Sequence, residues 1–310
     1  MMIEKPAVFV TSTGRTGTAF FGGLFGRVVR ECDSFHEPDC VAGDPLQDFV
    51  DASRLFGLRQ VVLEKLRPRG NMRGLTVGRT AGRLQNEPAV RGVERLREAF
   101  VRGLPGQLYV ESNHQLVGLI DILPQVFRRC RIVYLVRDAR EWVRSCWGHA
   151  GGFYRARDLV RLLSGGRLRA PMCSDDPWAA RWTDMSRFEK NCWLWAKKNR
   201  YALDCLRGTD EALMWRFEAV FLGNRRYEVL EELVQFATCF PDGPRFEYTS
   251  LDGVLERPVN VSGPGALPCW REWSEGRVRA FRLICGELMD ELGYGREPEW
   301  QRMCERAGAS

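Results

Sequence analysis

The chain has 310 residues and a formal net charge of +6, and 46 of its residues are lysine or arginine. Only five of these are lysine, so 41 are arginine. The basic residues are spread along the chain rather than gathered in a stripe with interleaved aromatics, which argues against nucleic acid as a partner. No run of about 18 apolar residues occurs, and residues 1–6 lack the regions of a signal peptide. We therefore expect a cytoplasmic protein without a transmembrane segment.

The cysteines and histidines exclude two further classes. Eleven cysteines, an odd number, contain no C-x-x-C pair, so their spacing fits neither a disulfide framework nor a zinc site. There are only three histidines, His36, His114 and His149. The sequence predicts no metal site and a reducing compartment.

Strand-like and helical patterns alternate along the chain. The predicted strands are residues 7–12, 32–36, 108–111, 131–137 and 212–217. The predicted helices are residues 17–30, 89–102, 114–129, 138–149, 177–206, 225–240 and 270–292. Such alternation predicts right-handed crossovers and an α/β fold, a three-layer αβα arrangement with a mainly parallel, P-loop-like sheet covered by helices on both faces. Ligands of such sheets bind beyond the carboxyl ends of the strands.

Three stretches fit the alternation poorly because proline and glycine interrupt them. They are residues 39–106, apart from the one predicted helix there, residues 150–177 and residues 241–268. Long loops beside a regular scaffold often cover or shape a site. With no repeat and no low-complexity linker, we expect one domain over residues 1–310, with these stretches as substrate or cap insertions.

The first motif follows the first predicted strand. Ser12-Thr13-Gly14-Arg15-Thr16-Gly17-Thr18 is a glycine- and threonine-rich turn that leads into a helix near Gly17. Backbone N–H groups and the helix dipole at such a turn attract an anion. A Walker A loop would require a lysine after Gly17, where Thr18 stands, so an ATP-cleaving P-loop is disfavoured.

The second motif spans the fourth predicted strand and its helix. Arg137 ends the strand and Ser145 follows eight residues later. The two side chains could converge on a phosphate, to which arginine offers two parallel donors and serine a hydroxyl. The alternative is that Arg137 forms a surface pair with Asp138 or Glu141.

Together the two motifs resemble those of sulfotransferases that use 3′-phosphoadenosine 5′-phosphosulfate (PAPS), in particular bacterial-type P-loop sulfotransferases. The first resembles the 5′-phosphosulfate loop of that family, and Arg137 with Ser145 resembles its 3′-phosphate motif. Weaker similarity follows at residues 214–218, 221–223 and 258–262 and at Trp270. The resemblance extends from residue 8 to about residue 295, apart from residues 39–106 and 150–177. It assigns the following cofactor-binding residues: Thr13, Gly14, Arg15, Thr16, Gly17, Thr18, Ala19, Arg137 and Ser145.

The resemblance implies transfer of a sulfuryl group from PAPS to an acceptor hydroxyl, or less readily an amine, with adenosine 3′,5′-bisphosphate as product and no metal required. Such a reaction resembles in-line phosphoryl transfer, in which positioning and charge stabilisation dominate. Many relatives have lysine where this chain has Arg15. An arginine does not give up its proton, so we expect Arg15 to stabilise charge on the leaving phosphate oxygen.

The sequence offers three candidates for the general base. Glu37, at the end of the second predicted strand, is the first choice, because an acidic residue there serves several bacterial and protein-directed relatives. His36 is its partner or competitor, and His114 is a rival because cytosolic relatives use a histidine near the third strand. Glu111 is expected to meet an arginine or the acceptor, since a buried carboxylate is costly when unpaired. Asn113 caps the next helix or contacts the acceptor.

The acceptor is expected to be a carbohydrate, a glycolipid or a small metabolite. Five arginines in the first loop-rich stretch, at positions 67, 69, 73, 79 and 83, suggest an anionic or polyhydroxylated acceptor, although solvated loop arginines are the alternative. A P-loop small-molecule kinase, a non-catalytic nucleotide-binding protein and a module that docks acidic partners through residues 39–106 remain as other functions. The oligomeric state stays open. Glu218 and most of five tryptophans are expected to be structural, with stacking of one tryptophan on adenine or on a sugar face as the alternative. These tryptophans are Trp178, Trp182, Trp193, Trp195 and Trp270.

Overall fold

In the computed structural model of the protein, residues 2–38, 71–148, 166–207, 209–256 and 267–308 are described, together with the isolated positions 50, 53, 54, 56, 153 and 154. Within them, one sheet is formed by β1 (Ala7–Ser12), β2 (Cys32–His36), β3 (Leu108–Ser112), β4 (Cys130–Val136) and β5 (Ala212–Arg216). Its strands are all parallel, in the order β2-β3-β1-β4-β5. The predicted parallel sheet is confirmed, and β1 lies at its centre.

The central strands β3, β1 and β4 are buried because they are mainly apolar at successive positions, as in parallel sheets generally. The edge strands β2 and β5 are partly exposed. In β1, Val8 and Val10 pack into one core cluster and Ala7 and Phe9 pack into another on the opposite face. Helices cover both clusters. The predicted three-layer α/β fold is therefore confirmed.

The helices divide between the two faces. The cluster around Val8 is covered by α1 (Thr18–Val28) and, later in the chain, by the helices over residues 217–221 and 226–238. The cluster around Phe9 is covered by α2 (Met72–Thr80), α3 (Asn86–Gly103), α4 (Leu123–Val126), α5 (Ala139–Gly148) and α6 (Arg187–Leu206). In chain order the remaining helices are α7 (Phe217–Phe221), α8 (Arg226–Thr238), α9 (Glu275–Glu291) and α10 (Pro298–Gly308), of which α9 and α10 join the Phe9 side.

The predicted helix over residues 114–129 is wrong. The chain there forms a short 3₁₀ turn, His114–Leu116, and then only the single turn of α4. Gly118 lies between them, and a Cβ on it would sit 2.7 Å from the carbonyl oxygen of Thr76 in α2. The apolar residues of this segment follow a compact path against α2 instead of one helix face.

Two further predictions about residues 39–206 need correction. The stretch before residue 89 was expected to be loop, yet α2 lies within it, capped by the Asn71 side chain, which accepts a hydrogen bond of 2.8 Å from the Gly74 N–H. The helix predicted to begin at residue 177 begins at Arg187, because Ser186 and Glu189 form a capping box that fixes the start.

The late helical prediction also differs in detail. Residues 270–272 form a 3₁₀ turn, and α9 begins after Ser274, whose hydroxyl accepts a hydrogen bond from the Arg277 N–H. The helix α10 had not been expected. The weak similarity at residues 258–262 falls outside the described residues.

Candidate active site

The loop between β1 and α1 has an unusual backbone. Gly14, Arg15 and Gly17 all have positive φ, at 87°, 57° and 83°, a region that residues other than glycine rarely adopt. The Ser12 hydroxyl accepts a hydrogen bond of 3.0 Å from the Gly14 N–H, and the Thr16 hydroxyl donates one of 2.8 Å to the Gly14 carbonyl. The indole N–H of Trp142 in α5 donates to the same carbonyl at 2.6 Å. The loop is thus held in one conformation by its own hydroxyls and by α5.

This conformation leaves backbone donors available at the start of α1. In the described part of the chain, the N–H groups of Thr16, Gly17, Thr18 and Ala19 donate no hydrogen bond. Gly17 is the N-cap and supplies no capping side chain. Donors at a helix N-terminus, together with the helix dipole, suit an anion.

Gly17 is required for steric reasons as well as for its positive φ. A Cβ at this position would lie 2.7 Å and 2.8 Å from two ring carbons of Phe221. Phe217 and Phe221 of α7 pack together with ring centroids 4.8 Å apart. These two rings therefore form an aromatic wall beside the first turn of α1.

The second predicted motif meets the first at Arg15. The Arg137 Nη1 donates a hydrogen bond of 2.9 Å to the Arg15 carbonyl, and the Arg15 Nε donates one of 3.2 Å to the Ser145 hydroxyl. The Arg137 carbonyl is in turn fixed by the Trp195 indole at 2.9 Å. Parallel pairing of β1 and β4 brings their carboxyl ends side by side, which is why motifs about 120 residues apart form one site.

The Arg137 guanidinium has donor capacity to spare. Its Nε is buried and has no hydrogen-bond partner among the described residues. The guanidinium lies 4.4 Å from the centre of the Phe217 ring. Burial lowers the pKa of Arg137, an effect that Glu218 and Glu141 oppose. A half-buried cation with an unused donor fits a phosphate, so the residues present suit an anionic ligand at this end also.

Glu37 and His114 form a pair on the other side of the loop. The Glu37 Oε1 lies 2.5 Å from the His114 Nδ1, and the two side chains are 16% and 27% exposed. Glu37 has a φ of 45° and donates its N–H to the Ser112 carbonyl at 3.0 Å. The parallel pairing of β2 with β3 thus joins two residues that the sequence presents as rivals.

The His114 ring stands over the loop. A Cβ built on Gly14 would lie 3.5 Å from the His114 Cδ2, the ring carbon bonded to Nε2. The Nδ1 atom contacts Glu37, and the Cγ–Cδ2 edge of the ring faces the anion loop. His36 is arranged differently, because its Nδ1 contacts the Ser112 carbonyl at 3.0 Å and its Nε2 is 3.9 Å from the Glu37 Oε1.

Glu111 has a structural environment. Its carboxylate accepts two hydrogen bonds of 2.7 Å from Arg97, one of 2.6 Å from Tyr109 and one of 2.8 Å from Asn113. Burial alone would raise the pKa of Glu111, but the Arg97 charge and these donors hold it below its usual value. Asn113 caps the 3₁₀ turn by accepting from the Gln115 N–H at 2.8 Å. The expectations of an arginine partner and of a cap are confirmed.

The expected structural tryptophans and Glu218 also agree with the structure. Trp182, Trp193, Trp195 and Trp270 are buried in the core, and Trp178 packs partly buried against it. The Glu218 carboxylate accepts hydrogen bonds from the Asp138 N–H at 3.1 Å and from the Tyr294 hydroxyl at 2.8 Å. Burial raises the pKa of Glu218.

Sequence reasoning missed two contributors to the site, Trp142 and the α7 ring pair. Trp142 lies between Arg137 and Ser145 in the sequence, but nothing marks its indole as a donor to a loop 128 residues earlier. The spacing of Phe217 and Phe221, four residues apart, does indicate one helix face, and it was the available signal for the aromatic wall.

No group of three or more histidine, cysteine, aspartate or glutamate side chains is arranged to hold a metal ion in the described ranges. None of the helices formed by these residues is long and apolar enough to span a membrane.

The sequence matches no protein-family model and no curated protein. Among solved structures, the fold is similar to the sulfotransferase domain from the Synechococcus PCC 7002 olefin synthase, at 13% identity and a TM-score of 0.41, covering 95% of this chain and 96% of that one. It is also similar to the sulfotransferase domain from the curacin biosynthetic pathway, at 14% identity and a TM-score of 0.36, covering 99% of both chains. Similarity at this level does not assign an activity, so the functional conclusion depends on the residues of the site.

Proposed function

We propose that this protein is a PAPS-dependent sulfotransferase that transfers a sulfuryl group to a hydroxyl, or less readily an amine, of a carbohydrate, glycolipid or small-metabolite acceptor. One observation carries the proposal. The glycine-rich loop with unused N–H donors and the Arg137–Ser145 motif lie next to each other and are linked through both the side chain and the carbonyl of Arg15. Two adjoining anion sites suit a nucleotide with phosphate-type groups at two positions.

The residues proposed to bind PAPS form two groups, one for each end of the molecule. Thr13 to Ala19 would hold the 5′ side through the backbone N–H groups and the threonine hydroxyls, and Arg137 with Ser145 would hold the 3′-phosphate. When bound, the donor supplies an electrophilic sulfur with a phosphate as leaving group. Arg15 carries a permanent positive charge, which stabilises the negative charge that develops on the leaving oxygen. The proposal requires no metal.

We assign proton removal from the acceptor to the Glu37–His114 pair. Glu37 holds the His114 Nδ1 as a donor, which leaves the Nε2 lone pair to take the proton of the acceptor hydroxyl. The glutamate then stabilises the imidazolium that forms, as carboxylates do in other carboxylate–histidine pairs. His36, tied to the Ser112 carbonyl, has a supporting position beside Glu37.

The acceptor class is supported less directly. Of the five arginines noted in the first loop-rich stretch, Arg67 and Arg69 lie outside the described residues. Arg79 forms an ion pair with Asp121, and Arg83 donates to the Pro171 carbonyl at 3.3 Å. These contacts give Arg79 and Arg83 structural roles. Among the described arginines of this set, Arg73 is the remaining candidate for contact with the acceptor.

A cytoplasmic location is part of the same proposal. The ten cysteines among the described residues are free thiols, as expected in a reducing compartment. A single domain over residues 1–310 likewise remains our proposal.

The test combines transfer with binding. PAPS carrying labelled sulfur is incubated with the protein, EDTA and a panel of sugars, lipids and small alcohols, and labelled product is expected. Calorimetry should give adenosine 3′,5′-bisphosphate a higher affinity than adenosine 5′-monophosphate, by about tenfold to a hundredfold for the lost charged contacts.

Other outcomes identify the alternatives. Phosphate transfer from labelled ATP that EDTA abolishes would establish a kinase and contradict the proposal. Tight bisphosphate binding without transfer to any acceptor would favour a non-catalytic nucleotide-binding protein. Equal affinity for the two nucleotides would remove the basis of the proposal.

A further inference from the structure

A second group of cations lies on the Phe9 face of the sheet, beside the proposed donor site. We call it the Lys198 cluster, and it consists of Lys198 in α6, Arg73 in α2 and Arg167. The helix α6 is fixed over the carboxyl end of β4, because the Trp195 indole bonds to the Arg137 carbonyl and the Asn199 side chain accepts from the Tyr134 hydroxyl at 2.7 Å. Lys198 lies between these two anchors.

Lys198 has an electrostatically unfavourable position. It is half-buried and forms no hydrogen bond or ion pair with any described residue. Burial, and then the charges of Arg167 and Arg73, lower the pKa of Lys198 to about 8, and the Cys146 thiol gives the only opposing effect. No carboxylate among the described residues contributes to this environment. A partly desolvated lysine beside other cations costs free energy that an anion would recover.

The other lysines of α6 have partners, so the unfavourable position of Lys198 is a property of its surroundings and not of the helix. Lys197 forms an ion pair of 3.2 Å with Asp176. Lys190 lies 5.4 Å from the centre of the Trp182 ring. Lys198 therefore differs from both in having cations for neighbours and no described partner.

The cluster adjoins the catalytic residues at both ends. On one side is Cys146, which follows Ser145 and has Arg15, Arg167, Arg137 and Lys198 as its cationic neighbours. On the other side is α2, where the Thr76 hydroxyl bonds to the carbonyl of Gln115, the residue after His114. Arg73 lies three residues before Thr76, which places it about one turn along the same helix.

We propose that Lys198, flanked by Arg73 and Arg167, binds an acidic group of the acceptor, so that the preferred acceptor is an anion as well as an alcohol. This inference rests on the proposed sulfotransferase activity and deepens it. The phosphate-type groups of PAPS already have proposed partners in the loop and in the Arg137–Ser145 motif. The acceptor is the remaining reactant. The helix that carries Lys198 is bonded to the Arg137 carbonyl, and the helix that carries Arg73 is bonded to the carbonyl of the residue after His114.

The binding test uses the small number of lysines. With five lysines in the chain, ¹³Cε-lysine labelling gives a simple NMR spectrum, and the signal lost in Lys198→Met identifies Lys198. In protein saturated with adenosine 3′,5′-bisphosphate, we expect glucuronate and 4-hydroxybenzoate to shift this signal and raise its titration midpoint, whereas glucuronamide and 4-hydroxybenzamide leave it unchanged. If neither anion changes the midpoint, the inference is wrong.

The kinetic test compares each acid with its amide as acceptor. In the wild type we expect the acid to have the higher kcat/KM, and in Lys198→Met we expect this preference to fall about tenfold to a hundredfold through KM. Lys198→Arg should restore much of it, and Lys190→Met is the matched control that should leave it intact. Replacing a half-buried lysine by methionine removes a desolvation cost, so the variant should fold.

Failure of the inference can be separated from failure of the proposed function. If no labelled sulfate is transferred and the 3′-phosphate adds no affinity, the function itself is wrong. If transfer occurs but acids and amides react equally, or if Lys198→Met raises only the KM for PAPS, the cluster serves no acceptor acid and the inference alone is overturned.

Discussion

The donor side and the acceptor side of the site are built in different ways. On the donor side, residues 12–18 and 137–145 are short, contiguous motifs at the ends of adjacent strands, and hydrogen bonds fix them to each other. On the acceptor side, Glu37, His114 and the Lys198 cluster come from separate segments of the chain. If the proposed function is correct, local sequence specifies nucleotide binding, whereas acceptor choice depends on tertiary packing.

The largest expected effect is on kcat, at His114, which we propose as the general base. His114→Ala should reduce kcat by about 10²–10⁴-fold, because general-base catalysis contributes that much. Glu37→Gln should reduce kcat less, since His114 keeps its Nε2 and loses only the carboxylate. Steady-state kinetics with labelled PAPS measures both. If Glu37→Gln is the more damaging change, the carboxylate itself is the base and the roles are reversed.

The next largest effect is on protein stability, at the buried ion pair of Arg97 and Glu111. Arg97→Ala leaves Glu111 buried without its cation and should lower the free energy of unfolding by about 3–5 kcal/mol, measured by urea denaturation. Since the folded-state pKa of Glu111 is below its usual value, its stabilisation is present above about pH 4 and is lost as the pH falls further. The double variant Arg97→Met, Glu111→Leu should recover most of the loss. An Arg97→Ala protein as stable as the wild type would contradict this account.

Substitutions of Arg15 test how far its positive charge contributes to kcat. Arg15→Gln should reduce kcat by about 10²–10³-fold, as removal of one charge-stabilising donor does elsewhere. Arg15→Lys keeps the charge and should recover part of the rate near neutral pH, and this rate should fall at alkaline pH as the lysine loses its charge. A fully active Arg15→Gln variant would place the leaving-group stabilisation elsewhere.

The smallest expected effect is on nucleotide affinity, and it should distinguish adenosine 3′,5′-bisphosphate from adenosine 5′-monophosphate. Arg137→Gln should weaken adenosine 3′,5′-bisphosphate by about tenfold to a hundredfold and leave adenosine 5′-monophosphate almost unaffected. Ser145→Ala should act in the same direction with a smaller change. Calorimetry with both nucleotides checks this, and a parallel loss for the two would mean that Arg137 supports the loop and does not recognise the 3′ group.

The strands β1, β3 and β4 were predictable because each is an apolar run that ends at or next to a polar residue. The observed ends of all five strands fall within one residue of the predicted ones. The helix α2 was not, because Gly74 and Gly78 in its sequence indicated a loop. Gly78 is in fact needed there, since a Cβ on it would lie 3.0 Å from Leu84. Close packing of this kind leaves no periodic signal in the sequence.

The site shows the same limit. Arg15, Arg137 and Ser145 could be proposed together because each lies at a strand end or in the following helix. The short contact between Glu37 and His114 could not be, since it depends on the strand order β2-β3-β1. Lys198 had no signal at all, because its neighbours Arg73 and Arg167 are more than 30 residues away in the chain.

Arg15 belongs to both halves of the proposed donor site: its guanidinium contacts Ser145 and its carbonyl receives a hydrogen bond from Arg137. A ligand group arriving at either half must compete with these contacts. For the proposed nucleotide we therefore expect cooperative recognition of the 3′ and 5′ portions, so that the affinities of fragments that carry one portion each do not add up to that of the intact molecule.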